Sequence, residues 1–126
     1  MGRKILVVDD DRDLVESLGE ALEMEGFNVV KAYDGVQCWD KIKGAKPDLI
    51  VLDVMMPNKD GYKVAEELAQ SEYSNIPLIM LTGVSEHMRD TNFSRAQGLS
   101  CEADDYLPKP VKAADLIRSV KRLVKK

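Results

Sequence analysis

Lys4-Ile5-Leu6-Val7-Val8 runs straight into Asp9-Asp10-Asp11. The first part is apolar and rich in β-branched side chains, which suit a pleated chain. Three successive carboxylates cannot follow it into a core, so the stretch reads as a buried strand that ends in a polar loop. Working outward, Leu49-Ile50-Val51-Leu52 leads to Asp53 in the same way, introduced by Pro47-Asp48. Phe27–Ala32 and Pro77–Leu81 read as further strands, the latter closed by Thr82-Gly83, and Asp104–Leu107 reads as a short fifth.

Helical patterns lie between these runs. Asp13 is placed to cap a helix with apolar positions Leu14, Leu18, Ala21 and Leu22, and Gly26 stops it. Gly35–Ile42 forms a second helix with Val36, Trp39 and Ile42 toward the core, ended by Gly44. A third runs from Tyr62 to about Gln70. The polar stretch Ser85–Ser100 contains at least one more. Leu116, Ile117, Val120, Leu123 and Val124 make an apolar stripe at helical spacing on the last. Strand and helix alternate five times, and most strands are continuous apolar runs, which points to a parallel sheet covered on both faces. Such sheets carry their sites at the carboxyl ends of the strands.

That rule brings separated residues together. Asp9 and Asp10 end the first strand, Asp53 the third and Thr82 the fourth, while Lys109 follows the fifth. Taken singly, each has a simpler account: a strand-end carboxylate caps the next helix, a Thr makes a turn, a Lys is solvated. Asp11 is read as solvated on the same grounds. Jointly, five such residues at matching strand ends describe a pocket. Three carboxylates repel one another, so a cation should hold them. Mg²⁺ takes hard oxygen ligands, one or two carboxylates plus a phosphate. With the Lys109 ammonium it would leave a nearly neutral site, and positioning with charge neutralisation is what phosphoryl transfer needs. One carboxylate would then be the nucleophile.

Ile5–Asp10, Asp53-Val54-Met55-Met56-Pro57 with Asp60-Gly61, Leu81-Thr82-Gly83 and Ala103–Pro110 occur in this order. In these four pieces the chain resembles the receiver domain of two-component response regulators over nearly its whole length. The resemblance implies one receiver domain over residues 1–126 and a flavodoxin-like, doubly wound (βα)5 fold with strand order 2-1-3-4-5. It implies Asp53 as phospho-acceptor. Asp10 would be a direct Mg²⁺ ligand, Asp9 would bind partly through water, and Asp53 and the Met55 carbonyl would complete the protein ligands. Thr82 and Lys109 would contact the phosphoryl group, Tyr106 would move with Thr82 in switching, and Pro110 would follow a cis peptide bond. A sensor histidine kinase or a His-containing phosphotransfer protein would be the donor, and a downstream protein or output domain the receiver of the signal. The family also admits a phosphorylation-dependent dimer. On this reading the protein is a switch rather than an enzyme, catalysing only its own phosphorylation and slow dephosphorylation. By the same resemblance Met55 and Val84 would flank the path of the attacking water, and neither side chain would orient it, which is the reason to expect slow loss.

Two features depart from the family pattern. The stretch between Gly83 and Cys101 is longer than usual, and Val111 stands where an aromatic is common. The alternatives fit less well. A Mg²⁺-dependent phosphatase of similar fold uses an Asp two residues after its nucleophile, where this chain has Met55. A flavin carrier needs a phosphate loop after the first strand, where Asp9-Asp10-Asp11 would repel it. A degenerate receiver would have lost part of the set that is intact here.

Composition is consistent with this. Hydrophobic residues make up 44% of 126 positions, enough for a core, and the net charge of −4 disfavours a direct nucleic-acid binder. Lys121-Arg122 and Lys125-Lys126 read as the solvated end of the last helix. Cys38 and Cys101 lack zinc-site spacing, Trp39 reads as packing, and His87 as a surface residue. No apolar run is long enough to span a bilayer, so a cytoplasmic location without membrane contact is expected.

Overall fold

The computed structural model describes residues 2–53, 61–82 and 103–124. The elements are β1 (Lys4–Val8), α1 (Arg12–Met24), β2 (Asn28–Ala32), α2 (Gly35–Ala45), β3 (Leu49–Asp53), α3 (Gly61–Ala69), β4 (Leu78–Thr82), β5 (Asp105–Pro108) and α4 (Ala113–Val124). All five strands are parallel and lie in the order β2-β1-β3-β4-β5, as the family resemblance implied. The helix expected within Ser85–Ser100 lies outside the described residues.

Successive side chains of a strand face opposite ways, and here both faces are cores. Leu6, Val8, Ile50, Leu52 and Met80 pack with Cys38, Ile42, Val64 and Leu68 from α2 and α3. Ile5, Val7, Val51, Ile79 and Leu81 pack with Val15, Leu18 and Leu22 of α1 and Leu116, Val120 and Leu123 of α4. This is why β1, β3 and β4 read as unbroken apolar runs. Each fully buried Leu or Ile contributes roughly 1.5–3 kcal/mol relative to exposure.

The helix ends correct the sequence reading in instructive ways. Asp11, not Asp13, caps α1: its carboxylate accepts the Leu14 N–H at 3.2 Å, while Asp13 is exposed within the first turn. Gly26 stops the helix as expected, at φ +95°, a conformation that costs a glycine little. Gly19 is buried within α1, and a Cβ there would sit 3.3 Å from Val29 Cγ1, so the missing side chain lets α1 lie close on β2. In α2 the buried stripe is Gly35, Cys38 and Ile42, with Trp39 half-buried beside it, and Val36 is 60% exposed. The helix is rotated from the expected face because Asp34 caps it through the Gln37 N–H, which sets where the first turn begins. It runs past Gly44 to Ala45, and Lys46 in the left-handed region ends it before Pro47. Trp39 is packing, as read: its Nε1 donates to Glu67 at 2.9 Å and its ring meets Tyr73 edge-on.

Strand starts shift by a residue for reasons of hydrogen bonding. Pro77 has no N–H and gives only its carbonyl, to Ile50, so β4 begins at Leu78. Asp104 is tied to Leu78 from just outside β5. Phe27 bonds back to Leu22 of α1, which leaves β2 to begin at Asn28. The basic end of α4 is paired rather than only solvated: Lys121 meets Glu25 at 2.7 Å and Arg122 meets Asp105 at 3.1 Å.

Candidate functional site

β1, β3 and β4 all point their carboxyl ends to one edge of the sheet, and the register aligns Val8 with Leu52 and Asp53 with Leu81. Asp9 leaves β1 at that edge and is fully buried, its N–H donating to the Ala32 carbonyl. Asp53 closes β3, 1% exposed, and Thr82 closes β4, 6% exposed. Lys109 follows β5 and its N–H bonds the Thr82 carbonyl at 2.7 Å, which draws this loop over the strand ends. The peptide bond from Lys109 to Pro110 is cis, in line with the resemblance.

These positions bring the side chains together. Asp9, Asp10 and Asp53 each offer a carboxylate oxygen within 4.8 Å of the others. Lys109 Nζ lies 2.8 Å from Asp9 Oδ2 and 3.3 Å from Asp53 Oδ1. Asp9 Oδ1 accepts the Asp11 N–H at 3.0 Å. Asp9 Oδ2 is buried, and the Lys109 ammonium is its one partner among the described residues. Thr82 Oγ1 is buried without a hydrogen bond among the described residues.

The electrostatics show strain of sign rather than of geometry. Burial pulls the Lys109 ammonium down, but its contact with Asp9 and the charges of Asp53 and Asp9 outweigh that and hold its pKa above the usual lysine value. Asp10 moves up, first through desolvation and then through the neighbouring Asp9. One ammonium faces three carboxylates, so the pocket carries excess negative charge. A divalent cation would offset it, and three carboxylate oxygens grouped this closely could hold a hard ion. The donor set, all carboxylate oxygen, favours Mg²⁺ or Mn²⁺ over softer metals. Asp9, Asp10 and Asp53 are the described residues able to hold it; Met55, the further expected ligand, lies outside the described residues, as do Val84, His87, Cys101 and the lengthened 83–101 stretch.

The structure therefore groups Asp10 with Asp9 and Asp53, pairs the last two with Lys109, and sets the Thr82 hydroxyl at the same edge. Tyr106 stands apart. It is 38% exposed, and its hydroxyl accepts the Ala103 N–H at 3.3 Å, with no bond to Thr82. Asp11 is the residue that the sequence reading undervalued: it is exposed and yet tied to Asp9. Its position immediately before the first helical residue was the available signal. A cleft of about 410 Å³ opens at the opposite edge of the sheet, beside Arg3, Asp48, Asp104 and Leu123, and shares nothing with this pocket.

Residues 5–121 match the family model of the response regulator receiver domain. The chain belongs to that family. This receiver is 42% identical over 126 residues to the response regulator MprA of Mycobacterium bovis, covering 100% of the chain and 52% of that protein. It is 44% identical over 123 residues to the transcriptional regulatory protein CpxR of Escherichia coli, covering 98% of the chain and 50% of that protein. The receiver thus spans about half the length of the curated relatives it matches. Among solved structures, a response regulator from Chloroflexus aurantiacus superposes with a TM-score of 0.86 at 30% identity, with 100% of both chains covered. The receiver domain of a histidine kinase from Syntrophus aciditrophicus gives 0.85 at 34% identity, covering 98% of this chain and 91% of that one. The receiver is a phosphorelay signalling module of the two-component type, and the phosphatase alternative is not favoured. No helix among the described residues is long and apolar enough to cross a membrane.

Proposed function

We propose that this receiver accepts a phosphoryl group on Asp53 from the phosphohistidine of a sensor histidine kinase or phosphotransfer protein, and passes the signal on by a change of conformation. The observation that carries the assignment is the setting of Asp53: 1% exposed, 3.3 Å from Lys109 Nζ, and grouped with Asp9 and Asp10. A carboxylate oxygen of Asp53 attacks phosphorus, the bond to the donor imidazole breaks, and the imidazole keeps the electron pair and takes up a proton. Lys109 balances charge on the phosphoryl oxygens, and the unsatisfied Thr82 hydroxyl supplies a hydrogen bond once an acceptor arrives. Mg²⁺ held by Asp10, Asp9, Asp53 and the Met55 carbonyl would supply charge neutralisation at the same oxygens. Movement of Thr82 toward the phosphoryl group, with Tyr106 following, would change the surface near β5 and the 83–101 stretch.

Family resemblance supports the rest of the reading. Residues 1–126 act as one receiver domain, free-standing or within a longer regulator, in the cytoplasm, with a downstream protein or output domain as partner and a phosphorylation-dependent dimer as one form of output. Self-dephosphorylation is slow because Met55 and Val84 orient no water. Incubation with a small phosphodonor and Mg²⁺ should raise the intact mass by one phosphoryl group, and Asp53→Ala should abolish the gain. Undiminished labelling of Asp53→Ala would place the acceptor elsewhere.

A further inference from the structure

We propose that Asp11 is a positioning residue for the acidic pocket, acting through its helix cap and not as a ligand. The proposal rests on the acceptor and metal reading above. Asp11 is held at three points. Its N–H donates to Asp9 Oδ1 at 3.0 Å, its carbonyl accepts the Val15 N–H at 3.0 Å, and its side chain accepts the Leu14 N–H at 3.2 Å. The last two bonds are those of an N-cap, with extended backbone at φ −82° and ψ 99°. The first is the fixing point of Asp9.

The consequence is mechanical. Asp9 is fully buried, and one of its oxygens faces Lys109. The other is pinned by the Asp11 amide alone among the described residues. An amide at the start of a helix keeps its direction only while the first turn is formed, and the Asp11 carboxylate is what secures that turn from outside. Asp10 sits between the two bonds, so the same interlock sets where its exposed carboxylate stands relative to Asp9 and Asp53. Capping strength at Asp11 is thereby coupled to the arrangement of carboxylates 9 and 10. The Asp11 charge is incidental to this, since Asn caps a helix as well as Asp.

The test is Mn²⁺ binding, read as loss of the free-ion electron paramagnetic resonance signal, for the wild-type chain and for Asp11→Asn and Asp11→Ala. Asp11→Asn should bind within about twofold of wild type, and Asp11→Ala about fivefold more weakly, the factor that one N-cap interaction represents. A merely structural cap would lower the thermal midpoint of Asp11→Ala and leave Mn²⁺ affinity untouched, and that result overturns the proposal. Equal weakening of both variants makes the charge responsible and overturns it as well. Should Asp11→Ala not fold, Asp11→Gly keeps most of the capping stability and should bind within about twofold of Asp11→Asn; a loss of about fivefold there, with the cap retained, shows that affinity does not follow capping and overturns the proposal. Failure of the acceptor reading shows separately, as a wild-type chain that takes no phosphoryl group while the Mn²⁺ series keeps its order.

Discussion

Asp48 and Asp104 stand where β3 and β5 begin, while Asp9 and Asp53 stand where β1 and β3 end, and the sheet treats the two pairs oppositely. At the amino edge, Asp48 accepts the Lys4 N–H at 2.8 Å and returns its own N–H to the Lys4 carbonyl at 2.7 Å. Asp104 does the same with Leu78, at the same two distances. At the carboxyl edge, Asp9 and Asp53 are buried and share one ammonium. The difference comes from strand polarity. The first residues of parallel strands present N–H groups that need acceptors, so a carboxylate arriving there is satisfied by backbone. The last residues present carbonyls, which offer a carboxylate nothing. Carboxylates at that edge must find a helix N-terminus, a lysine or a metal ion. The fold thus spends its aspartates on structure at one edge and leaves them chemically available at the other.

The strongest way to break this contrast is to remove the shared cation. Lys109→Ala leaves two buried carboxylates facing each other, and should cost about 3 kcal/mol in a buffer without divalent ions, the low end for a broken buried pair because the ammonium is a quarter exposed. Denaturant unfolding measures this, and added Mg²⁺ should narrow the deficit. A variant as stable as wild type without Mg²⁺ would mean that the pocket is not held by charge.

At the amino edge the expected loss is smaller and insensitive to Mg²⁺. Asp104→Ala strands the N–H of buried Leu78 and should cost about 1–2 kcal/mol, while Asp104→Asn, which keeps an acceptor, should stay near wild type. Asp48→Ala should cost less, since its bond to Lys4 is exposed. A Mg²⁺-dependent effect at Asp104 would blur the two edges.

The acid limb of stability gives the two carboxylate environments opposite signs. Asp105 at the head of β5 is pulled up by burial, but the Ser119 hydroxyl, the Tyr106 N–H and Arg122 outweigh that and set its pKa below the usual value. Its contribution is therefore complete above the ordinary aspartate pKa of 3.8 and is lost as pH falls through the lower folded value. Asp10 is raised, so its ionisation penalises the fold as pH rises from 3.8 through the higher folded value. Asp105→Asn should flatten the acid limb of a thermal-midpoint profile. The smallest effect belongs to Asp10→Asn, a slight gain in midpoint at neutral pH without divalent ions, reduced by solvent screening because Asp10 is exposed. A loss there would show that neither desolvation nor the neighbouring Asp9 penalises its charge.

The sequence by itself determined the class of fold. Apolar runs of strand length between helical stripes, as at Ile5–Val8 and Leu49–Leu52, fit only a sheet buried on both faces, because each side chain is dictated by its own local environment. It also determined which residues meet, since parallel strands send Asp9, Asp53 and Thr82 to one edge whatever the details. Tertiary structure decided matters of direction. A carboxylate near a helix start can cap from one of several positions, and only the path of the loop made Asp11 the cap and left Asp13 in solvent. The rotation of α2, which buries Cys38 and exposes Val36, follows from where Asp34 meets the Gln37 amide. The pairing of Asp104 with Leu78, and of Lys109 with Asp9 rather than with Asp53 alone, depends on distances of a few ångströms between segments far apart in the chain. Local pattern carries the period of an element, whereas such contacts are fixed only when the elements have packed.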